Sequence, residues 1–296
     1  MARVLHNLLL FLIGLAQRTR VVGYWSLIYA YCALCTVVAL LKLCWSIILR
    51  PTTTFRWTIR ESPPACLNDT SLGTHCYVRI KESGLRFHYV AAGERGKPLM
   101  LFLHGFPEFW FSWRYQLREF KSEFRVVAID MRGYGESDLP LSTESYSFEN
   151  LVTDVKDIVE YLGYNRCCLV GHDWGGTIAW LFAIHYPEMV AKLIVLNCPH
   201  PSVFTGSFLL SLLSLRSSLP LSQNHVRSPV LLLWSERDTF LEQEMAEACR
   251  LYIRNHFRLN IISGASHWLQ QDQPDIVNTL IWTFLKEGEG RKSYRN

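Results

Sequence analysis

The chain has 296 residues, 49% hydrophobic and 19% charged, with a formal net charge of +4. That length accommodates one large α/β domain plus an appendage, and the apolar fraction supplies a sizeable core. The mild charge, with no dense Lys/Arg run interleaved with aromatics, excludes a nucleic-acid surface, and nine scattered cysteines cannot all pair within the chain.

The first element is an apolar run, residues 21–41, without a charged side chain. As a helix it spans a hydrocarbon core of about 30 Å. Tyr24, Trp25 and Tyr29 fall near one interface, Lys42 and Trp45 near the other, with Arg18, Arg20 and Arg50 flanking. Its length, its distance from the start and the lack of a small-residue cleavage site favour an uncleaved anchor within 1–50 over a signal peptide. A second run, 8–16, is too short to span and suits the interface. Cys32-x-x-Cys35 lies inside the apolar run with no second Cys/His pair, and reads as two buried apolar-like residues. Basic residues on both sides leave the orientation open. The sequon Asn68-Asp69-Thr70 suits a lumenal or outer face.

Residues 51–75 read as a linker, Thr-rich and then Ser62-Pro63-Pro64. From Cys76 short β-like runs alternate with helical stretches. Strands are expected at 77–81, 86–91, 99–104, 126–130, 168–171, 193–197, 230–234 and 259–262, several of them continuously apolar, as in a sheet covered on both faces. Helices are expected at 148–162, 177–185, 242–254 and 274–285. The first starts at a Ser147 cap, stops at Gly163 and repeats Leu151, Val155, Ile158, Val159 and Leu162 at helical spacing. The alternation predicts an α/β class with a mostly parallel, doubly wound sheet over 76–290. Residues 206–228, rich in Leu and Ser, fit neither pattern.

Chemistry concentrates in Gly171-His172-Asp173-Trp174-Gly175-Gly176, between an expected strand and an expected helix. This is the pattern of a nucleophile elbow with Asp where Ser is more familiar. Gly171 and Gly175 supply the small residues the sharp turn needs. Asp238 follows the strand at 230–234, with Glu236 a rival acid, and His267 follows the strand at 259–262 in Gly264-Ala265-Ser266-His267-Trp268. Nucleophile, acid, histidine is the chain order of α/β hydrolases. His104-Gly105-Phe106-Pro107 follows another strand. It can aim the Phe106 N–H at the same point as the Trp174 N–H, making an oxyanion hole. The turn suits a cis Phe106–Pro107 bond. No metal-ligand spacing or nucleotide fingerprint appears, so neither metal nor cofactor is expected.

His104-Gly105-Phe106-Pro107-Glu108, Asp130-x-Arg132-Gly133-Tyr134-Gly135-x-Ser137 and the His-Asp-Trp-Gly-Gly elbow together resemble the epoxide hydrolase family. The resemblance covers about 78–286, except 206–228. Haloalkane dehalogenases share much of the pattern. It implies an α/β-hydrolase fold, opening of a small apolar or lipid epoxide to a vicinal diol, and a bilayer partner held through the N-terminal helix, with the endoplasmic reticulum as the expected membrane. Asp173 would be the nucleophile, already ionised at neutral pH. Its attack on an sp³ carbon gives an ester, where serine would give an ether that water does not readily cleave. His267, held by Asp238, would then activate water against that ester. The family also places two tyrosines in a helical lid, expected between Asn197 and Val230. Residues 187–251 contain no tyrosine, and the stretch is too short for that lid. Tyr134 and Trp110 are other donors. A dehalogenase- or esterase-like hydrolase using the same triad, and a weakly active or non-catalytic variant, stay open as alternatives.

Overall fold

A computed structural model describes residues 2–56, 62–206 and 224–287. The chain divides into two compact units, Met1–Pro63 and Pro64–Asn296.

The first unit is built on helix α1 (Ala2–Leu49), 48 residues long. No proline falls between Ala2 and Leu49, so the expected interfacial run at 8–16 continues into the apolar run as one helix. Pro51 ends it, since the residue before a proline disfavours the helical region. The Thr54 hydroxyl bonds the Ser46 and Arg50 carbonyl oxygens at 2.9 and 2.7 Å. Thr19–Leu49 is long and apolar enough to cross a membrane, and none of that window is buried within the structure. Cys32 and Cys35 stand exposed on the helix surface rather than buried in protein.

The second unit opens at Pro64, so the latter part of the expected linker belongs to it: Leu72 is in the core and Asp69 pairs with Arg118 at 2.6 Å. Its sheet has eight strands: β1 (Thr74–Arg79), β2 (Arg86–Ala92), β3 (Leu99–Leu103), β4 (Arg125–Ile129), β5 (Cys167–His172), β6 (Val190–Leu196), β7 (Val230–Ser235) and β8 (Phe257–Ile262). The order is β1-β2-β4-β3-β5-β6-β7-β8. Only β2 runs against its neighbours, and the pairings from β4 through β8 are parallel. Each expected strand is present. The first starts earlier than expected because the β1–β2 hairpin pairs Thr74 with Ala91.

Strands β3, β5 and β7 are buried along their whole length, which explains their unbroken apolar sequence. On one face, Leu101, Leu103 and Leu169 pack with Val155 and Ile158 of α3 (Phe148–Tyr161) and Trp180 of α4 (Trp174–His185). On the other, Met100, Phe102 and Val170 pack with Leu117 and Phe120 of α2 (Arg114–Phe120) and Val277 and Ile281 of α8 (Pro274–Lys286). The Ser147 hydroxyl caps α3 by accepting from the Asn150 N–H. The helix expected at 242–254 is shorter: α6 (Glu244–Ala248) tightens into a 3₁₀ turn over Cys249–Tyr252. Helices α2, α5 (Pro201–Gly206) and α7 (Leu269–Asp272) were not foreseen, being too short to show a period. Of the segment 206–228, residues 207–223 lie outside the described residues. The chain resumes at Asn224, whose amide donates to Ser202 Oγ at 3.3 Å.

Candidate active site

Strand β5 ends at His172 and α4 begins at Trp174, so Asp173 alone turns the chain, at φ 51° and ψ −123°. A non-glycine residue holds such a conformation only where its surroundings impose it. Here they do. A Cβ at Gly171 would meet the Gly175 carbonyl oxygen at 2.5 Å, and one at Gly175 would meet the Leu103 oxygen at 2.3 Å. The bare backbones of these two glycines let helix and strand approach, and the turn lifts the Asp173 carboxylate off the strand end.

The loop after β3 closes over it. The Phe106–Pro107 bond is cis, and the Phe106 N–H donates to Asp173 Oδ2 at 3.0 Å. The Trp174 N–H, next in the chain, adds a smaller pull on the same carboxylate. His267, on the loop after β8, brings Nε2 to 3.4 Å from Asp173 Oδ1. Its Nδ1 donates to Asp238 Oδ2 at 2.8 Å. The other Asp238 oxygen accepts the N–H groups of Phe240 and Leu241 at 2.8 and 3.1 Å. Asp238 is thus fixed by three donors and 1% exposed, whereas Asp173 is 22% exposed. Glu236, the rival acid, points elsewhere and accepts the Gly264 N–H at 3.3 Å.

Burial alone would raise the Asp173 pKa. The His267 hydrogen bond, the Phe106 N–H, the His172 charge and the Trp174 N–H outweigh it and hold the carboxyl below its usual range. Burial alone would lower the His267 pKa, but its bonds and charge interactions with Asp173 and Asp238 push it up to about 9. The resting arrangement is a carboxylate, an imidazolium and a second carboxylate. It can attack an electrophilic carbon and, once Asp173 is esterified, release the imidazole as a base.

Beneath lies a layer to which the sequence assigned no role. His172 Nε2 and the Asn197 amide both donate to the His267 carbonyl oxygen, at 2.8 and 2.9 Å. Glu108 accepts the Gly105 N–H at 3.0 Å and the amides of Gln270 and Gln271, each at 3.0 Å. His172 and Glu108 sat inside the quoted motifs, but only the fold reveals their partners; Asn197, Gln270 and Gln271 carried no signal. Around the mouth, Phe106, Trp174 and Phe240 are 59%, 45% and 67% exposed, leaving an apolar rim. Tyr134, half-buried, sets its ring edge-on to His104 at 4.9 Å and is close enough for the Asp173 charge to raise its pKa, after burial itself. Trp110 is buried against His75, Phe109 and Phe111.

A family model for the alpha/beta hydrolase fold matches residues 98–219. Human Epoxide hydrolase 4 is 52% identical over 342 aligned positions, covering 91% of this chain and 94% of the human protein. Epoxide hydrolase 3 of Xenopus tropicalis is 40% identical, covering 96% and 97%. At 91% of 296 residues, this chain supplies about 269 of the 342 positions aligned with the human protein, so about 73 have no counterpart here. Among solved structures, a mutant epoxide hydrolase from Bacillus megaterium, complexed with its diol product, superposes with a TM-score of 0.63 at 30% identity. It covers 72% of this chain and all of that one.

Proposed function

Because the chain belongs to the epoxide hydrolase family of α/β hydrolases, we propose that it opens small apolar or lipid epoxides to vicinal diols through an ester on Asp173. The observation that carries the reading is the pair of contacts made by one imidazole: His267 faces Asp173 Oδ1 at 3.4 Å and bonds Asp238 at 2.8 Å. A carboxylate oxygen of Asp173 attacks an epoxide carbon, and the C–O bond of the ring breaks. The neutral ester no longer holds a proton on His267, which releases it to solvent and becomes the base for water. Hydroxide adds at the ester's acyl carbon, the Phe106 and Trp174 N–H groups take up the charge on the acyl oxygen, and the diol leaves with an oxygen that began on Asp173.

Ring opening also needs a proton for the departing oxygen. Residues 187–251 hold no tyrosine, so the family's lid donors have no equivalents there. Tyr134, the half-buried phenol that feels the Asp173 charge, takes that part in our reading and regains its proton from solvent, and ring opening is the slow step. The apolar helix Thr19–Leu49 anchors the enzyme in the endoplasmic reticulum membrane, from which apolar substrates reach the exposed rim.

The test is diol formation from a panel of fatty-acid epoxides by the full chain in detergent, with a single turnover run in ¹⁸O-water. The expected diol carries unlabelled oxygen at the new hydroxyl. Labelled oxygen in the first turnover, or diol formation that survives Asp173→Asn, overturns the ester route. The missing lid tyrosines favour a second reading, hydrolysis of haloalkanes or activated esters, whose leaving groups need no proton. Under that reading Tyr134→Phe leaves turnover unchanged and halide release exceeds diol formation.

A further inference from the structure

Across the β1–β2 hairpin, two histidines face one another in an arrangement that neutral rings cannot satisfy alone. His75 on β1 is exposed and His88 on β2 is buried, and His75 Nδ1 lies 2.9 Å from His88 Nε2. Each ring's other nitrogen is already committed. His88 Nδ1 bonds Asp130 Oδ2 at 2.8 Å. Both Asp130 oxygens also accept backbone N–H groups, from Trp110 at 2.8 Å and Glu136 at 3.0 Å. The carboxylate is therefore the acceptor, and the ring proton sits on Nδ1. His75 Nε2 bonds the Leu67 carbonyl oxygen at 3.0 Å, which can only accept, so that ring carries its proton on Nε2. The two remaining nitrogens meet lone pair to lone pair.

Something positive belongs between them, and a carboxylate stands ready. One ring nitrogen from each histidine and a carboxylate oxygen of Glu136 all lie within 4.8 Å of one another. Glu136 is steadied by the Tyr77 hydroxyl. Imidazoles whose far nitrogens donate to a carboxylate and to a backbone carbonyl are the outer-shell pattern of metal-bound histidines. We propose that His75, His88 and Glu136 bind a divalent transition-metal ion, zinc by the character of two imidazoles and a carboxylate. Nitrogen ligands at about 2.0–2.1 Å from a tetrahedral ion stand about 3.3 Å apart, so the rings open by a few tenths of an ångström to admit it. The exposed His75 and Glu136 leave the fourth position to water.

No sequence spacing announced this site. His75 and His88 come from two strands of a hairpin, and Glu136 from the loop after β4, in the unspecified position before Ser137. An ion here ties the β1–β2 hairpin to the loop that carries Tyr134, bracing that loop next to Asp173. The role is structural and independent of whether the candidate triad turns over.

The experiment uses the full chain in detergent without a polyhistidine tag, stripped with chelator and titrated with Co²⁺ and then Zn²⁺. One equivalent of Co²⁺ is expected, with the visible bands of a four-coordinate nitrogen/oxygen site and no near-ultraviolet thiolate bands, displaced by Zn²⁺. His75→Ala, at an exposed position, abolishes the spectrum while circular dichroism stays unchanged. Glu136→Gln weakens binding at least tenfold, and Zn²⁺ raises Tm in the parent chain but in neither variant. If the rings merely share a proton, no stoichiometric ion binds, and the proposal falls. It falls equally if the cobalt spectrum persists in both variants or shows thiolate ligation at the free cysteines.

Discussion

His172 donates to Glu108 across 2.7 Å, with side-chain exposures of 0% and 4%. The direction of the bond follows from the surroundings. The other His172 nitrogen donates to the His267 carbonyl, and Glu108 Oε2 already accepts the Gly105 N–H. Burial alone would raise the Glu108 pKa, but the His172 charge and hydrogen bond, with the Gly105 N–H, hold it below the usual range. This buried pair links the loop carrying Phe106, the elbow carrying Asp173 and the loop carrying His267. Glu108→Gln removes the buried carboxylate that His172 bonds, and losing one member of a buried ion pair costs about 3–5 kcal/mol. Denaturant unfolding of the hydrolase unit should show that loss; a midpoint shift worth less than about 1 kcal/mol would mean the pair is not ionic.

On the proposed ester route, His267→Gln separates the two chemical steps. The carboxylate of Asp173 still attacks, while ester hydrolysis slows by about 10²–10⁴-fold. Incubation with an epoxide should therefore accumulate the covalent adduct. Intact-mass and peptide mapping should find the substrate's mass on the Asp173 peptide in His267→Gln and nowhere in Asp173→Asn. An adduct equally abundant in the parent chain would place the slow step after ring opening, against the reading given above.

The His267 pKa of about 9 makes stability depend on pH in a defined direction. An unfolded histidine titrates near 6.5, so the folded value is the higher one. The contribution is complete below about 6.5 and disappears as pH rises through about 9. Tm of the parent chain should fall across that window more steeply than Tm of His267→Gln. Parallel curves would show that the folded imidazole is not protonated. In the alkyl-enzyme the ester removes the Asp173 charge, so the pH limb of ester hydrolysis should lie below 9.

Gly105→Ala tests the oxyanion geometry without removing a charged group. A Cβ there would meet the Asp173 Cβ at 2.5 Å and its Oδ2 at 2.7 Å. The nucleophile must swing away from the Phe106 N–H, and loss of one such donor slows turnover by about 10²–10³-fold. Because the Asp173 Cβ moves only with the backbone of the elbow, Tm should drop along with activity. A variant with full activity would show that the Phe106 contact is dispensable.

The fold was legible wherever the signal was local. Apolar runs of strand length, the Ser147 cap, the Gly163 stop and the small residues flanking Asp173 act within a few positions, and the eight strands follow from them. Two boundaries moved for non-local reasons: β1 is extended by its pairing with Ala91, and 242–254 breaks into a short helix and a 3₁₀ turn. Three side chains of the candidate site could be named because each follows a recognisable strand, and strand ends share one rim.

Sequence alone determined the apolar span at the N-terminus, the alternating α/β core and an aspartate on a strand-to-helix turn. These are set by periodicity and backbone sterics between near neighbours. Tertiary structure decided that Asp238 rather than Glu236 meets His267, that Glu108 and His172 form the buried prop, and that His75, His88 and Glu136 converge. Each depends on residues tens of positions apart brought together by the order β2-β4-β3-β5 and by the crossovers to β7 and β8. A linear spacing carries no record of which strands become neighbours, so those choices appear only once the sheet is assembled.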